Sequence, residues 1–137
     1  IMRGSSAVLV YNQTYPLLNS AEAAVVTSGT ATLETAIFRV PQVVIYKTSI
    51  INYIIGKPFI RITFFSLVNL IAGKEVVKEI LQFGLAPSIQ KELSKILQNR
   101  NYYEGMLKEY KRISLILGGP GTSGRIANRI VSILNNK

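Results

Sequence analysis

The sequence predicts an α/β domain: a parallel sheet flanked by helices, followed by a helical C-terminal part. Three short apolar runs, at residues 7–11, 23–27 and 42–46, alternate with stretches of helical periodicity. The segments between the runs are too long for hairpins and suit right-handed crossovers between parallel strands. The third run, Gln42-Val43-Val44-Ile45-Tyr46, is almost continuously apolar, as expected of a strand covered on both faces.

Met2-Arg3-Gly4-Ser5 resembles a vector leader, so residues 1–6 are expected to be a leader or a disordered start. The lack of a natural-looking start suggests a piece of a longer chain. Residues 7–84 are expected to form the βαβ core and residues 85–137 the helical remainder of the same domain. Ala7-Val8-Leu9-Val10-Tyr11 reads as the first strand, and Asn12 and Gln13 begin a loop. Residues 14–20 read as a short helix with Pro16 in its first turn. Residues 23–27 form the second strand. Thr30 is placed to cap a helix over residues 30–38, with Leu33, Ala36 and Ile37 repeating at helical spacing and Pro41 stopping it.

Residues 49–57 read as a short helix ended by Gly56 and Pro58. Residues 50–68 are the most apolar part, but Lys57, Arg61 and Gly56-Pro58 break them well short of the about 20 residues a membrane span needs. Two readings stand for them. One is a core helix followed by a core strand over residues 60–67. The other is an interfacial patch, flanked by Lys47, Lys57 and Arg61, that dips into an anionic bilayer. Gly73 separates a loop from a helix over residues 74–83, with Val76, Val77, Ile80 and Leu81 inward and Lys74, Glu75, Lys78 and Glu79 on a solvated face. Pro87 opens a helix with Ile89, Leu93, Ile96 and Leu97 as its stripe. Residues 102–117 form another, with Met106, Leu107, Tyr110 and Ile113 inward. Gly118-Gly119-Pro120-Gly121 is a loop that lacks the Gly-Lys-Ser/Thr ending of a phosphate loop. Thr122 caps a last helix carrying Ile126, Ala127, Ile130 and Leu134.

The rest of the chain is organised around Thr27-Ser28-Gly29-Thr30-Ala31-Thr32-Leu33-Glu34. A strand, a Gly turn and a helix start in succession make either an ordinary junction or an anion site. Small side chains at Ser28, Gly29, Thr30 and Ala31 let a phosphate approach backbone N–H groups, and Glu34 lies one turn further in. The turn sits at the C-terminal end of a strand, where open α/β sheets bind ligands.

Composition narrows the chemistry. The 137 residues carry 16 Lys and Arg against 7 Asp and Glu, a formal charge of +9. Such a chain favours anionic partners: phosphorylated ligands, nucleic acid or an anionic membrane. There is no Cys and no His, so thiolate metal sites and the commonest general base are excluded from this chain. The basic residues are scattered, unlike the single basic face that nucleic-acid binding uses, so no nucleic-acid partner is expected.

Three blocks now resemble one family. Ser28-Gly29-Thr30-Ala31-Thr32-Leu33-Glu34, then Pro41-Gln42-Val43-Val44-Ile45-Tyr46-Lys47, then Ser66-Leu67-Val68-Asn69-Leu70-Ile71-Ala72-Gly73-Lys74-Glu75 are similar, in order and spacing, to blocks of lipid-A-disaccharide synthase. The departures are Val68 for the usual Pro and Lys74 for the usual Arg. The resemblance implies a Rossmann-like sheet, the C-terminal half of a glycosyltransferase B architecture, in an enzyme joining UDP-2,3-diacylglucosamine to 2,3-diacylglucosamine 1-phosphate. It implies no cofactor and no metal. Ser28, Gly29, Thr30, Ala31, Glu34, Lys47 and Asn69 are then the UDP-sugar-binding residues. Glu34 would accept from ribose hydroxyls, Lys47 would face phosphate, and Asn69, at a strand end, would present its amide to the donor. Asn12 would approach the uracil through its backbone. No general base is expected here, so the chain alone should be inactive.

The partners implied are the UDP-diacylglucosamine donor, a lipid acceptor, the missing N-terminal half and an anionic membrane, with a homodimer left open. The location implied is the bacterial cytoplasm, at the periphery of the inner membrane. Two alternatives remain at this point: another nucleotide-sugar enzyme of the same fold, an epimerase or peptidoglycan glycosyltransferase, and a non-catalytic basic membrane-binding module.

Overall fold

The computed structural model describes residues 7–46, 63–81, 85–118 and 121–135. Its elements run α1 (Thr14–Ser20), β1 (Ala24–Thr27), α2 (Ala31–Ile37), β2 (Gln42–Tyr46), α3 (Leu67–Ala72), β3 (Lys78–Leu81), α4 (Leu85–Gln98), α5 (Arg100–Ile116) and α6 (Thr122–Asn135). The three strands form one parallel sheet in the order β1-β2-β3, in the register Val26↔Val44↔Glu79 and Thr27↔Ile45↔Ile80. This is the expected α/β class, a Rossmann-like sheet flanked by helices.

The central strand fixes where the core lies. Val43 and Val44 point to opposite faces of β2 and both are 0% exposed, so both faces are covered. α2 packs on β1 and β2, α4 packs on β2 and β3, and α5 touches α2, α3 and α4. The helices supply Ala36, Val68, Ile96, Met106, Tyr110 and Ile113 to one cluster with Val43, Val44, Val77 and Ile80. One polar contact runs through it: Gln42 Nε2 donates to the Thr32 carbonyl (2.9 Å) and to the Tyr110 hydroxyl (3.3 Å). That ties the start of β2 to α2 and α5. Burial, foremost, pushes the Tyr110 phenol well above its ordinary range.

Three expectations are corrected. Residues 7–11 form no strand; Val8, Leu9, Val10 and Tyr11 are exposed, from 42% for Val10 to 82% for Val8. Apolar content alone does not make a strand. Its N–H and C=O groups need a ladder partner, and among the described residues β1 pairs only with β2. The expected strand over residues 60–67 fails in its described part. Residues 63–66 are irregular, the Ser66 hydroxyl accepts the N–H of Asn69 (3.2 Å), and Leu67 opens α3. Val68 therefore sits in the first turn of a helix, a place that also tolerates Pro.

The third correction concerns residues 74–83, read as a helix. Gly73, in the left-handed region at φ 70°, ends α3, and residues 78–81 form β3. The spacing of Val76, Val77, Ile80 and Leu81 fits a helix face, but β2 has a free edge, and a parallel ladder there satisfies more backbone. The last helix, α6, is placed as expected, and its Ile126, Ile130 and Leu134 are more than half exposed. Ile37 in α2 and Leu97 in α4, both part of the helical apolar spacing, are 56% exposed as well. The expected helix at 49–57, the apolar stretch through residue 62, Lys47, and the leader at 1–6 lie outside the described residues.

Candidate functional site

The turn after β1 is built from backbone bonds. The Ser28 N–H donates to the Ile45 carbonyl (2.9 Å), extending the parallel ladder one residue past β1. Gly29 then takes φ 148°, a backbone that side-chain-bearing residues rarely adopt, although the space around it is open. Its carbonyl accepts the Thr32 N–H (3.2 Å) and the Thr32 hydroxyl (2.7 Å). Thr30 occupies the N-cap position as expected, but its side chain makes no capping bond. Its carbonyl takes the N–H groups of Leu33 (2.9 Å) and Glu34 (3.2 Å). Among the described residues, no acceptor faces the N–H groups of Gly29, Thr30 or Ala31. These three residues are exposed, and Glu34 is half-buried in the first turn of α2.

The Ser28 side chain does something the sequence did not reveal. Its hydroxyl donates to the Phe65 carbonyl (2.8 Å), so its proton is committed and only its lone pairs face outward. Phe65 is held in turn. Its ring stacks on Tyr46 (4.8 Å between centroids), and its N–H donates to Glu79 Oε2 (2.8 Å). Glu79 Oε1 accepts the Ser66 N–H (2.9 Å) and the Asn69 side-chain amide (2.8 Å).

Asn69 itself stands on α3 instead of at a strand end, and it is fully buried. Its Nδ2 also donates to the Val77 carbonyl (2.8 Å), and its Oδ1 accepts the N–H groups of Val76 (2.7 Å) and Val77 (3.0 Å). Its amide is thus saturated inside the protein. Lys47 lies outside the described residues. Asn12, at φ 56°, lies in the exposed segment before α1.

Glu79 was missed because a helical period puts it beside Lys78 and Glu75 on the outside. In a strand the period is 2. Lys78 then faces solvent, pairing with Glu75 (2.9 Å), while Glu79 shares a face with Val44. The usable signal was Gly73. A helix stop there leaves Val76 to Leu81 room only for a strand.

A second polar cluster fastens the other end of α3. Lys74 Nζ pairs with Glu109 Oε1 (2.9 Å), Arg112 Nε pairs with Glu109 Oε2 (3.0 Å), and Arg112 Nη2 donates to the Ala72 carbonyl (2.8 Å). The hydrogen bond from Lys74, followed by that from Arg112, holds the Glu109 carboxyl below its ordinary range. Between α4 and α5, the Tyr102 hydroxyl donates to Glu92 (2.6 Å) under the Lys95 ammonium, which lies 3.7 Å from the ring centroid. Among the described residues, no group of three or more His, Cys, Asp or Glu is placed to hold a metal, and no helix is long and apolar enough to cross a membrane.

The fold and turn together define a Rossmann-like α/β protein with an open Gly turn at the ligand end of a parallel sheet. A family model described as lipid-A-disaccharide synthetase matches residues 3–118. Proteins named lipid-A-disaccharide synthase match from Syntrophus aciditrophicus (38% identical, over 92% of this chain and 33% of that protein) and Sulfurihydrogenibium sp. (36%, over 90% and 32%). Another, from Persephonella marina, is 40% identical over 77% of this chain and 28% of that protein. No solved structure matches. This chain belongs to the lipid-A-disaccharide synthetase family, and it spans about a third of the length of the curated relatives it matches.

Proposed function

We propose that this chain is the donor-binding part of a glycosyltransferase that joins UDP-2,3-diacylglucosamine to 2,3-diacylglucosamine 1-phosphate, giving the lipid A disaccharide 1-phosphate and UDP. The observation that carries the reading is the position of Ser28-Gly29-Thr30-Ala31-Thr32-Leu33-Glu34. This stretch, which resembles a block of the family, leaves the C-terminal end of β1, the end of a parallel sheet at which ligands bind. The reading assigns the N–H groups of Gly29, Thr30 and Ala31 to the diphosphate, whose leaving UDP gains negative charge as the glycosidic bond breaks. Fixed N–H groups stabilise such charge without reorganising. Ser28 accepts through its lone pairs. Glu34 accepts from the ribose hydroxyls, Lys47 faces phosphate, and the Asn12 backbone borders the uracil. Asn69 supports the site from behind.

The general base and the acceptor site belong to the remainder of the protein, so this chain alone is inactive. The partners follow from the substrates. An acylated donor and acceptor place the enzyme against an anionic membrane surface, which the +9 charge suits. In a bacterium that is the periphery of the inner membrane.

Titrating UDP into the labelled chain tests the reading through the amide resonances of residues 28–34. Those resonances should move, and a folded sample in which they stay still overturns the donor assignment. Glu34→Ala should weaken UDP about tenfold, the loss expected of a charged hydrogen bond, while leaving pyrophosphate affinity unchanged. Equal losses for both ligands would remove Glu34 from the ribose.

A further inference from the structure

The Ser28 turn is held by more than its own backbone bonds. We infer that Glu79, a carboxylate on β3, is a positioning residue for the nucleoside-diphosphate turn at the end of β1, acting through the backbone of Phe65 and the hydroxyl of Ser28.

The path is continuous. Glu79 Oε2 takes the Phe65 N–H at 2.8 Å, and the carbonyl of the same residue takes the Ser28 hydroxyl at 2.8 Å. Residue 65 therefore carries one bond toward β3 and one toward β1, spanning the sheet above β2. Its ring, stacked on Tyr46 at the end of β2, fixes the middle strand to the same loop. Glu79 also takes the N–H of Ser66, which caps α3. A carboxylate suits this place because it is acceptor-only and can receive three donors at once. It receives three: two backbone N–H groups and the Asn69 amide. A Gln there would turn an NH2 toward N–H groups, leaving at least one donor unpaired.

The consequence lies at the turn. The bond to Phe65 is what orients the Ser28 hydroxyl, and Ser28 precedes Gly29, the pivot of the turn. Releasing Phe65 frees the hydroxyl to rotate and loosens the residue from which the N–H groups of Gly29, Thr30 and Ala31 are aimed. Prearranged donors bind an anion more tightly than donors that must be ordered on binding.

The inference rests on the donor reading for its ligand but not for its geometry, and the test separates the two. In the ligand-free chain, Glu79→Gln should shift the amide resonances of Ser28 and Gly29, although residue 79 touches neither. Unmoved resonances overturn the inference whether or not the chain binds a nucleotide. With UDP as probe, Glu79→Gln should raise the Kd about tenfold, but less than twofold in a Ser28→Ala background, because both changes cut the same path. Losses that multiply would show that Glu79 acts on stability alone and overturn the positioning role. A wild-type chain that fails to bind UDP overturns the donor reading, and the resonance experiment still decides the role of Glu79. Should Glu79→Gln not fold, Glu79→Asp keeps the charge on a shorter reach, and the same two readouts apply.

Discussion

Asn69 and the Ser28–Ala31 turn are two of the polar features that the family blocks single out, and the structure treats them in opposite ways. Asn69 is fully buried with both side-chain polar atoms bonded, to Val76, Val77 and Glu79. The turn is exposed, and the N–H groups of Gly29, Thr30 and Ala31 face no acceptor among the described residues. Saturated groups hold a fold together, and unsaturated ones at a surface are available to a ligand. The contrast separates support from site, which the sequence placed in a single list. It makes three predictions about the chain.

The largest effect should come from the saturated side. Asn69→Ala removes the acceptor of two buried N–H groups and a donor to Glu79, in a place that water does not reach. Unfolding in urea should show a loss of about 3–4 kcal/mol, the scale for breaking a buried hydrogen-bond network. A loss under about 1 kcal/mol would mean that residues 76–77 have another way to satisfy their backbone.

Next comes the open side. Gly29→Ala meets no neighbouring atom among the described residues, since none of theirs lies within 4 Å of the added carbon, but it forces a side chain into φ 148°. The expected cost is about 1–3 kcal/mol, all of it backbone strain. Because the strain sits in the turn itself, UDP affinity should fall by a larger factor than in Asn69→Ala measured where both variants are folded. The reverse order would erase the distinction between site and support.

The same contrast explains what could be read beforehand. β2 was legible because a strand covered on both faces must be apolar on both, and Val43 and Val44 are. α1 and α5 were legible from Pro16 and from the stripe of Met106, Tyr110 and Ile113. The Ser28 turn was legible because an open turn needs small residues and a Gly, and these show in sequence. What escaped was whatever depends on a partner distant in the chain. Residues 7–11 have strand composition and no ladder. Residues 78–81 have helix spacing and a ladder waiting on β2. Glu79 is an ordinary charged residue until β3 turns it inward onto Phe65, Ser66 and Asn69. A saturated group is defined by its partners, so it is the harder kind to see in sequence.

α3 offers the finest test of the contrast, because its far end is fastened by charge at the surface. Lys74 and Arg112 both reach Glu109, and Arg112 also holds the Ala72 carbonyl. The Lys74 side chain is 56% exposed and that of Glu109 20%, so water screens much of the attraction. Glu109→Gln should cost only about 0.5 kcal/mol at neutral pH, far less than Asn69→Ala on the same helix. Its pH dependence has a definite sign. The folded carboxyl titrates below its ordinary range, with Lys74 as the main cause. The stabilisation is therefore present above the unfolded value of about 4.3 and is lost as pH falls through the folded one. Wild type and Glu109→Gln should thus converge in stability as urea unfolding is repeated at progressively lower pH. A gap that persists in acid would mean that Glu109 holds α3 by packing or neutral hydrogen bonds, placing it with Asn69 as an interior support.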